Sequence, residues 1–196
     1  MADVAGGATF MHAGGGPAGG GHARGRAGAG GDEVSEPTGG LTHVDEHGAA
    51  HMVDVSGKRP SARTAVATGV VRTTAEVIGL LRANALAKGD ALAVARIAGI
   101  MGAKRTPDLV PLCHPIAISR AAVEFSVSDE SVTITATVST TDRTGVEMEA
   151  LTAVTVAGLT LHDMIKAVDP AAVLDAVRVQ RKDGGKTGSW VRPEGR

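Results

Sequence analysis

The stretch Thr144–Lys166, TGVEMEALTAVTVAGLTLHDMIK, decides the fold predicted for this chain. Its second part, from Leu151 to Lys166, has no proline and a single glycine, and its small and aliphatic residues are typical of a well-buried helix. Charged side chains are rarely buried without partners or a task. The charged side chains of this stretch are therefore either solvated helix ends or parts of a functional site. The four that interrupt this stretch are Glu147, Glu149, Asp163 and Lys166.

Helical geometry separates these charges into two groups. Asp163 and Lys166 are three positions apart, so they share one face of the helix. Glu149 lies fourteen positions before Asp163, and a rise of about 1.5 Å per residue then separates the two by about 21 Å. One compact pocket cannot hold both from the same helix. If both act, either a second subunit completes the site or the acidic end contacts a separate part of one long substrate groove.

Composition limits the class of protein. The chain has 196 residues and a net charge of −1, which allows one ordinary domain plus an appendage and gives no electrostatic sign of nucleic-acid binding. Aromatic residues that stack on bases are limited to Phe10, Phe125 and Trp190. Cys113 is the single cysteine, which fits a reducing cytoplasm, and no apolar run is long enough to predict a membrane span. We therefore expect a cytoplasmic protein without nucleic-acid or membrane partners.

The N-terminal part is predicted to be an appendage. Residues 1–40 hold 14 of the 27 glycines and have little apolar surface to bury, so we predict a flexible tail before a domain spanning 41–196. Soon after it, His43, Glu46 and His47 spell H-x-x-E-H, a zinc-protease pattern that requires a helix. Glycines flank this segment, and no long stretch with the apolar periodicity of a helix surrounds it. We therefore expect no metal site there.

Hydrophobic periodicity predicts the remaining elements. An amphipathic helix is predicted over Ser61–Leu86, which would place Arg63 in its first turn, where a positive charge opposes the helix dipole. Arg63 is therefore a candidate ligand for an anion. The other predicted elements are a short strand over Met52–Val55, a helix over Ala91–Lys104 capped by Asp90, a hairpin of Ala121–Val127 and Ser131–Ser139, and a last strand over Ala172–Val179. Together they indicate a two-layer α+β sandwich.

Two segments outside these elements contain chemically active residues. Three prolines in Thr106–Ile118 argue against regular helix, and Cys113 and His114 lie between the last two of them. Adjacent residues of an extended chain point to opposite sides, so we favour His114 as a ligand-binding or proton-handling group over Cys113 as a nucleophile. Near the C-terminus, three basic residues surround a glycine pair in half of a phosphate-loop pattern; they are Arg181, Lys182 and Lys186.

Four long motifs resemble the MoaC family, the cyclic pyranopterin monophosphate synthases of molybdenum cofactor biosynthesis. They are LTHVDEHGAAHMVDVS (41–56), KGDALAVARIAGIMGAKRTPDLVPLCHP (88–115), TGVEMEALTAVTVAGLTLHDMIKA (144–167) and VRVQRKDGGKTG (177–188). The resemblance implies a ferredoxin-like α+β fold, with an antiparallel sheet packed against helices. It also implies a hexamer, a trimer of dimers with active sites at the dimer interfaces.

The resemblance also implies a reaction. The small-molecule substrate is (8S)-3′,8-cyclo-7,8-dihydroguanosine 5′-triphosphate, a cyclised GTP derivative made by the radical enzyme MoaA. The products are cyclic pyranopterin monophosphate and pyrophosphate, so the enzyme is a phosphorus–oxygen lyase. Catalytic roles fall on Lys88, Asp163 and Lys166. Substrate-binding roles fall on Arg63, Lys104, Leu112, Cys113, His114, Glu147, Met148, Glu149, Lys182 and Lys186.

These residue types suit such chemistry. A triphosphate carries about four negative charges and needs several Lys and Arg groups, with or without Mg²⁺, while a lysine–aspartate cluster can handle protons. Three other classes remain as alternatives. They are an RNA- or nucleotide-binding module on the same fold, a non-catalytic assembly protein, and an enzyme acting on another triphosphate, such as a GTP cyclohydrolase.

Overall fold

A computed structural model describes residues 49–195. In chain order its elements are β1 (Ser61–Arg72), α1 (Ala75–Arg82), α2 (Ala91–Lys104), α3 (Thr106–Leu109), β2 (Ile118–Val127), β3 (Ser131–Asp142), α4 (Glu147–Ile165), β4 (Val173–Asp183) and β5 (Trp190–Val191). The predicted flexible tail and the H-x-x-E-H residues His43, Glu46 and His47 lie outside the described residues. Among residues 49–195, no helix has both the length and the apolar character needed to cross a membrane.

The sheet has the strand order β2-β3-β1-β4-β5, and the pairings that build it are antiparallel. If α1–α3 are taken together as one helical segment, the elements from β1 to β4 follow the order β-α-β-β-α-β, which is the ferredoxin-like arrangement. Helices α2 and α4 pack against one another and against one face of this sheet. The predicted two-layer α+β sandwich is therefore confirmed.

The core lies between the helices and that face of the sheet. On β3, Val132, Ile134, Ala136 and Val138 alternate with partly exposed residues and are fully buried. This is the period of two expected for a half-buried strand. Helix α4 supplies the facing layer, and its buried residues include Ala150, Ala153, Val154, Ala157, Leu161 and Ile165.

Close packing fixes the position of α4 against α2. A Cβ atom at Gly99 of α2 would come within 2.8 Å of the Ala153 carbonyl oxygen, so a glycine is needed for this approach. Lys88, just before α2, contacts Asp163 near the end of α4, whereas Gly99 contacts its middle. The two helices therefore run in opposite directions, and both ends of α4 have fixed surroundings.

The helix predicted over Ser61–Leu86 is wrong in its first half. Ser61–Arg72 forms strand β1, and only Ala75–Arg82 is helical. On β1 the buried residues Ala65, Ala67 and Val71 lie on one face of the strand. Valines on the opposite face are also apolar, so the period of two is not visible in the sequence. Arg63 therefore lies in a strand and not in a first helical turn.

Two further predictions need correction, and three are confirmed. Met52–Val55 is irregular and not a strand, and no strand within residues 49–195 pairs with it. Within the proline-rich segment, Thr106–Leu109 is a short helix, since Pro107 occupies its first turn, where no amide hydrogen is needed. The helix over Ala91–Lys104 with its Asp90 cap, the β2–β3 hairpin and the last long strand are confirmed, although several of these elements are longer than predicted.

Candidate active site

A cationic cavity of about 210 Å³ opens at the N-terminal end of α4. The sheet register explains it, because Ser61 of β1 pairs with Asp142 of β3, and Thr64 pairs with Asp183 of β4. The start of one strand and the ends of two others thus meet the first turn of α4. Five cationic side chains line the cavity against two carboxylates, an excess of three positive charges; they are Lys58, Arg63, Arg143, Lys182 and Lys186, with Glu147 and Asp183.

Arg63 is held in this cavity by two backbone carbonyls. Its Nε donates a hydrogen bond to the Asp142 oxygen at 2.9 Å, and its guanidinium also donates to the Arg143 oxygen at 3.0 Å. Gly185 closes over the same guanidinium, because a Cβ atom there would collide with it. Gly185 also has a φ of +78°, which favours glycine. The Gly184–Gly185 pair therefore lets the loop after β4 lie against Arg63.

The carboxylates of the cationic cavity already have partners. Glu147 Oε1 lies 3.5 Å from Lys182 Nζ. Asp183 Oδ2 lies 2.7 Å from Arg181 Nε, and this neighbour keeps the pKa of Asp183 below its usual range. Arg63 contacts neutral carbonyl groups instead of these carboxylates, so its positive charge is available to an anionic ligand.

A second cavity of about 370 Å³, the mixed cavity, shares Lys58, Thr144, Gly145 and Glu147 with the first. Its remaining wall is largely apolar, with one imidazole, one thiol and one further carboxyl group. Those residues are Val53, Val55, Leu112, Cys113, His114, Met148 and Glu149. The two cavities together form one groove with a charged end and a less polar end.

Glu149 is the most buried acid in the groove, with 3% of its surface exposed. Burial raises its pKa, and the nearby charge of Glu147 raises it further, whereas its own backbone amide lowers it. Protonated Glu149 can donate a hydrogen bond as well as accept one. This combination suits a side chain that recognises or protonates a heterocycle.

His114 and Cys113 differ in what their side chains can do. The Nε2 of His114 lies 2.8 Å from the Val53 carbonyl oxygen. Because a carbonyl only accepts, Nε2 carries the hydrogen, and Nδ1 is the acceptor of the neutral ring. Burial and the charge of Glu149 raise the pKa of the Cys113 thiol. A reactive nucleophile needs the opposite shift, which argues against Cys113 in that role.

A third group of charges lies at the other end of α4. Asp163 forms ion pairs of 2.8 Å with Lys88 and 2.7 Å with Lys166. Lys88 also donates to the Asp163 backbone oxygen at 2.8 Å. These two lysines lower the pKa of Asp163 to about 2, so it is ionised at neutral pH. We call these three residues the lysine–aspartate cluster, and about half of each side chain is exposed.

The structure thus brings most of the predicted site residues together in the groove and leaves four elsewhere. Lys88, Asp163 and Lys166 form the lysine–aspartate cluster, and Lys104 ends α2 without lining either cavity. Sequence analysis missed Lys58, Arg143 and Thr144. The Asp142–Gly145 segment directly before α4 was a usable signal for two of them, whereas nothing distinguished Lys58 from other basic residues of turns.

Among residues 49–195, no three His, Cys, Asp or Glu side chains come together as ligands for a metal ion. The carboxylates of the cationic cavity are paired with Lys182 and Arg181. Mg²⁺ that accompanies a triphosphate is held mainly by phosphate oxygens with one or two carboxylates, so a role for Mg²⁺ with the substrate stays a prediction.

Comparison with known proteins identifies the family. A model of the MoaC family matches residues 52–185. The Streptomyces coelicolor protein named cyclic pyranopterin monophosphate synthase is 64% identical over 157 residues, which cover 80% of this chain and 92% of the relative. Cyclic pyranopterin monophosphate synthase 2 of Mycobacterium tuberculosis strain H37Rv is 60% identical over 155 residues, covering 79% of this chain and 93% of the relative.

A more divergent relative agrees with these two. The Corynebacterium efficiens protein named cyclic pyranopterin monophosphate synthase is 59% identical over 150 residues, which cover 76% of this chain and 97% of the relative. The family model spans the lysine–aspartate cluster and every lining residue of the groove except Lys186 and Thr187, and the matched relatives are covered over almost their whole length. The chain belongs to the MoaC family.

Proposed function

We propose that this protein is an enzyme, a cyclic pyranopterin monophosphate synthase of molybdenum cofactor biosynthesis. It converts (8S)-3′,8-cyclo-7,8-dihydroguanosine 5′-triphosphate into cyclic pyranopterin monophosphate and pyrophosphate. The observation that carries the proposal is the groove itself. A cationic cavity opens directly into a less polar one, which is the arrangement that a nucleoside triphosphate requires.

The triphosphate occupies the cationic cavity. The triphosphate carries about four negative charges, and the cavity has an excess of three positive charges. The planar guanidinium of Arg63 can bind two phosphate oxygens at once. The carbonyls of Asp142 and Arg143 hold the guanidinium in place before the ligand binds, so less side-chain entropy is lost on binding.

The base occupies the mixed cavity. Val53, Val55 and Leu112 offer apolar contact to the planar ring system. Glu149, with its raised pKa, and the Nδ1 atom of His114 face the polar edge of the base. A buried polar group that the correct ligand satisfies also rejects ligands that leave it unpaired.

Proton transfer falls to the lysine–aspartate cluster. Asp163 is an anion at neutral pH, so its role is to hold the ammonium groups of Lys88 and Lys166 in place and to accept a proton from them. Opening the purine and closing the pterin both require protons to be added and removed at ring atoms. Groups within about 3 Å of one another can pass a proton between them.

A second copy of the chain brings the cluster to the groove. Helix α4 has 19 residues, so its ends are about 28 Å apart, and one substrate cannot contact both within a single chain. A two-fold contact that places the two α4 helices antiparallel brings the C-terminal end of one to the N-terminal end of the other. The sites then lie at dimer interfaces, and three dimers form the hexamer.

The outer face of the helices provides an apolar surface for such a contact. Large apolar side chains that soluble monomers normally cover are exposed on α2, α3 and α4. Those exposed by more than two fifths are Val94, Ile97, Met101, Leu109 and Leu159. This assembly completes the proposal, together with the cytoplasmic location predicted from the single cysteine.

The proposal is tested by giving the purified full-length protein the cyclised guanosine triphosphate. The expected products are pyrophosphate and a pterin with a cyclic phosphate, in equal amounts. Wild-type protein that binds RNA in a salt-dependent way but releases no pyrophosphate would support the nucleic-acid alternative instead. Release of formate or of inorganic phosphate would indicate a different triphosphate enzyme.

A further inference from the structure

One cationic side chain lies where the two cavities of the groove meet. Lys58 lines both the cationic cavity and the mixed cavity. Across residues 49–195 its ammonium group makes no ion pair or hydrogen bond with the protein, whereas Lys182 is paired with Glu147. Lys58 and the neighbouring Arg59 are both exposed, but Arg59 lines neither cavity. Lys58 is thus a charge at the junction that no residue within 49–195 neutralises.

The segment that presents Lys58 has no strand or helix, yet hydrogen bonds define its course. The Val53 carbonyl accepts from His114 Nε2 at 2.8 Å, which ties the segment to the wall of the mixed cavity. Asp54 Oδ1 accepts from the Ser56 amide at 2.8 Å, and the Lys58 amide donates to the Val55 carbonyl at 3.1 Å. These bonds form a turn that directs Lys58 toward the groove.

We infer that Lys58 is a catalytic residue that contacts the α-phosphate of the substrate. The inference rests on the proposed function, with the terminal phosphates in the cationic cavity and the base in the mixed one. The α-phosphorus joins the ribose to the terminal phosphates, so it lies at the junction. Lys58 provides the unpaired ammonium group at that place.

The step that Lys58 assists is the closure of the cyclic phosphate. A sugar hydroxyl oxygen forms a bond to the α-phosphorus, and the bond from this phosphorus to the bridging oxygen of the β-phosphate breaks. The bridging oxygen leaves with the electron pair as part of pyrophosphate, and the hydroxyl proton passes to the Asp163 carboxylate of the lysine–aspartate cluster. Negative charge on the α-phosphate oxygens shifts during this exchange, and an ammonium group in contact with these oxygens stabilises it.

The test compares Lys58→Ala with Arg59→Ala in the full-length protein, after equal thermal stability has been verified. We expect kcat of Lys58→Ala to fall by about 100-fold with KM changed by less than about threefold, because the contact strengthens in the transition state. Lys58→Arg is expected to recover part of the loss, and Arg59→Ala to match wild type. A raised KM with unchanged kcat, or a Lys58→Ala variant as active as Arg59→Ala, would overturn the inference.

Inhibition by inorganic pyrophosphate locates the contact. Pyrophosphate stands in for the terminal phosphates, so we expect Lys58→Ala to leave its inhibition constant unchanged and Lys182→Ala to raise it. Equal weakening in both variants would place Lys58 on the terminal phosphates and contradict the inference. Wild-type turnover is measured first. Its absence refutes the proposed function, and the inference with it, whereas a wild type that turns over leaves the Lys58 variants to decide the inference alone.

Discussion

The two ends of α4 contain acids in opposite states. At the N-terminal end Glu149 is almost fully buried, and its pKa is raised by burial and by Glu147. At the C-terminal end Asp163 is about half exposed, and two lysines lower its pKa to about 2. One chain thus encloses the first end in a groove, whereas it leaves the second end open to solvent.

This difference indicates which end is complete. The groove has walls from β1, β4, the segment before α4 and the residues after α3. The lysine–aspartate cluster has charges that neutralise one another but is part of no described cavity. We therefore propose that the cluster is the half of the site that a second copy completes, and the following predictions test the two ends separately.

The largest effect is expected at the open end. Asp163→Asn removes the anion that holds Lys88 and Lys166, so we expect kcat to fall by about 1,000-fold. Little stability should be lost, because exposed ion pairs contribute little. Steady-state kinetics and thermal unfolding measure both quantities.

Asp175→Asn is the matched control for Asp163→Asn. Asp175 is also exposed, is paired with Arg72 at 3.1 Å and has a lowered pKa, but it lies on β4 away from both groups of charges. We expect its activity to match wild type. An equal loss of kcat in both variants would mean that the loss does not depend on the position of Asp163 at the C-terminal end of α4.

The next effect is expected at the buried end and combines activity with stability. Glu149→Gln keeps the shape but removes the ionisable group, so kcat/KM should fall by about 10- to 100-fold. The folded-state pKa of Glu149 is raised above the ordinary value of 4.5. Burying its charge therefore costs stability only above about that pH, as the group ionises.

The melting temperature should consequently respond to pH in a defined direction. We expect Glu149→Gln to melt at or above the wild-type temperature at pH 8, with the difference shrinking as the pH falls through the folded-state pKa of Glu149 toward 4.5. Thermal unfolding of both proteins across this range checks the sign. A variant less stable than wild type at pH 8 would show that ionised Glu149 stabilises the fold.

Gly185 allows a smaller and more local test of the cationic cavity. Gly185→Ala and Gly188→Ala both place a side chain at a positive φ, so each should lose about 1 kcal/mol of stability. A Cβ at Gly185 collides with the Arg63 guanidinium, whereas a Cβ at Gly188 has nothing within 4 Å. We expect KM to rise about 10-fold for Gly185→Ala alone. Equal KM values in both variants would show that Arg63 does not bind the phosphates.

The smallest effect is expected for the single cysteine. Cys113→Ala should keep kcat within about threefold of wild type, since burial and Glu149 raise the pKa of the thiol and disfavour the thiolate. Turnover of this variant and its resistance to thiol-alkylating reagents check the prediction. A loss as large as that of Asp163→Asn would identify Cys113 as a nucleophile.

The sequence predicted those parts of the fold where one period dominates. The second half of α4 was correctly predicted from its apolar content, as was β3, where Ile134, Ala136 and Val138 alternate with threonines and serine. Strand β1 was missed because apolar residues occupy both of its faces, with Ala65 and Ala67 on one and Val66 and Val70 on the other. A pattern with two apolar faces does not distinguish a strand from a helix.

The candidate site was predicted in part for a similar reason. The spacing of Glu149 and Asp163 on one helix was enough to separate the two groups of charges, and the structure places them at opposite ends of α4. The position of Lys58 was not predictable, since it depends on a turn held by Asp54 and by His114, which is 61 positions from Val53. Long-range hydrogen bonds of this kind leave no local pattern.

The central claim is that two copies of the chain share each site, and mixed assembly of two impaired variants tests it most directly. Glu149→Gln and Asp163→Asn are coexpressed in equal amounts with different tags, and mixed oligomers are purified through both tags. If the groove of one copy uses the cluster of the other, random pairing restores about a quarter of the sites, and activity should rise to about a quarter of wild type. Activity no higher than the mean of the two separate variants, in oligomers proven to be mixed, would contradict the account.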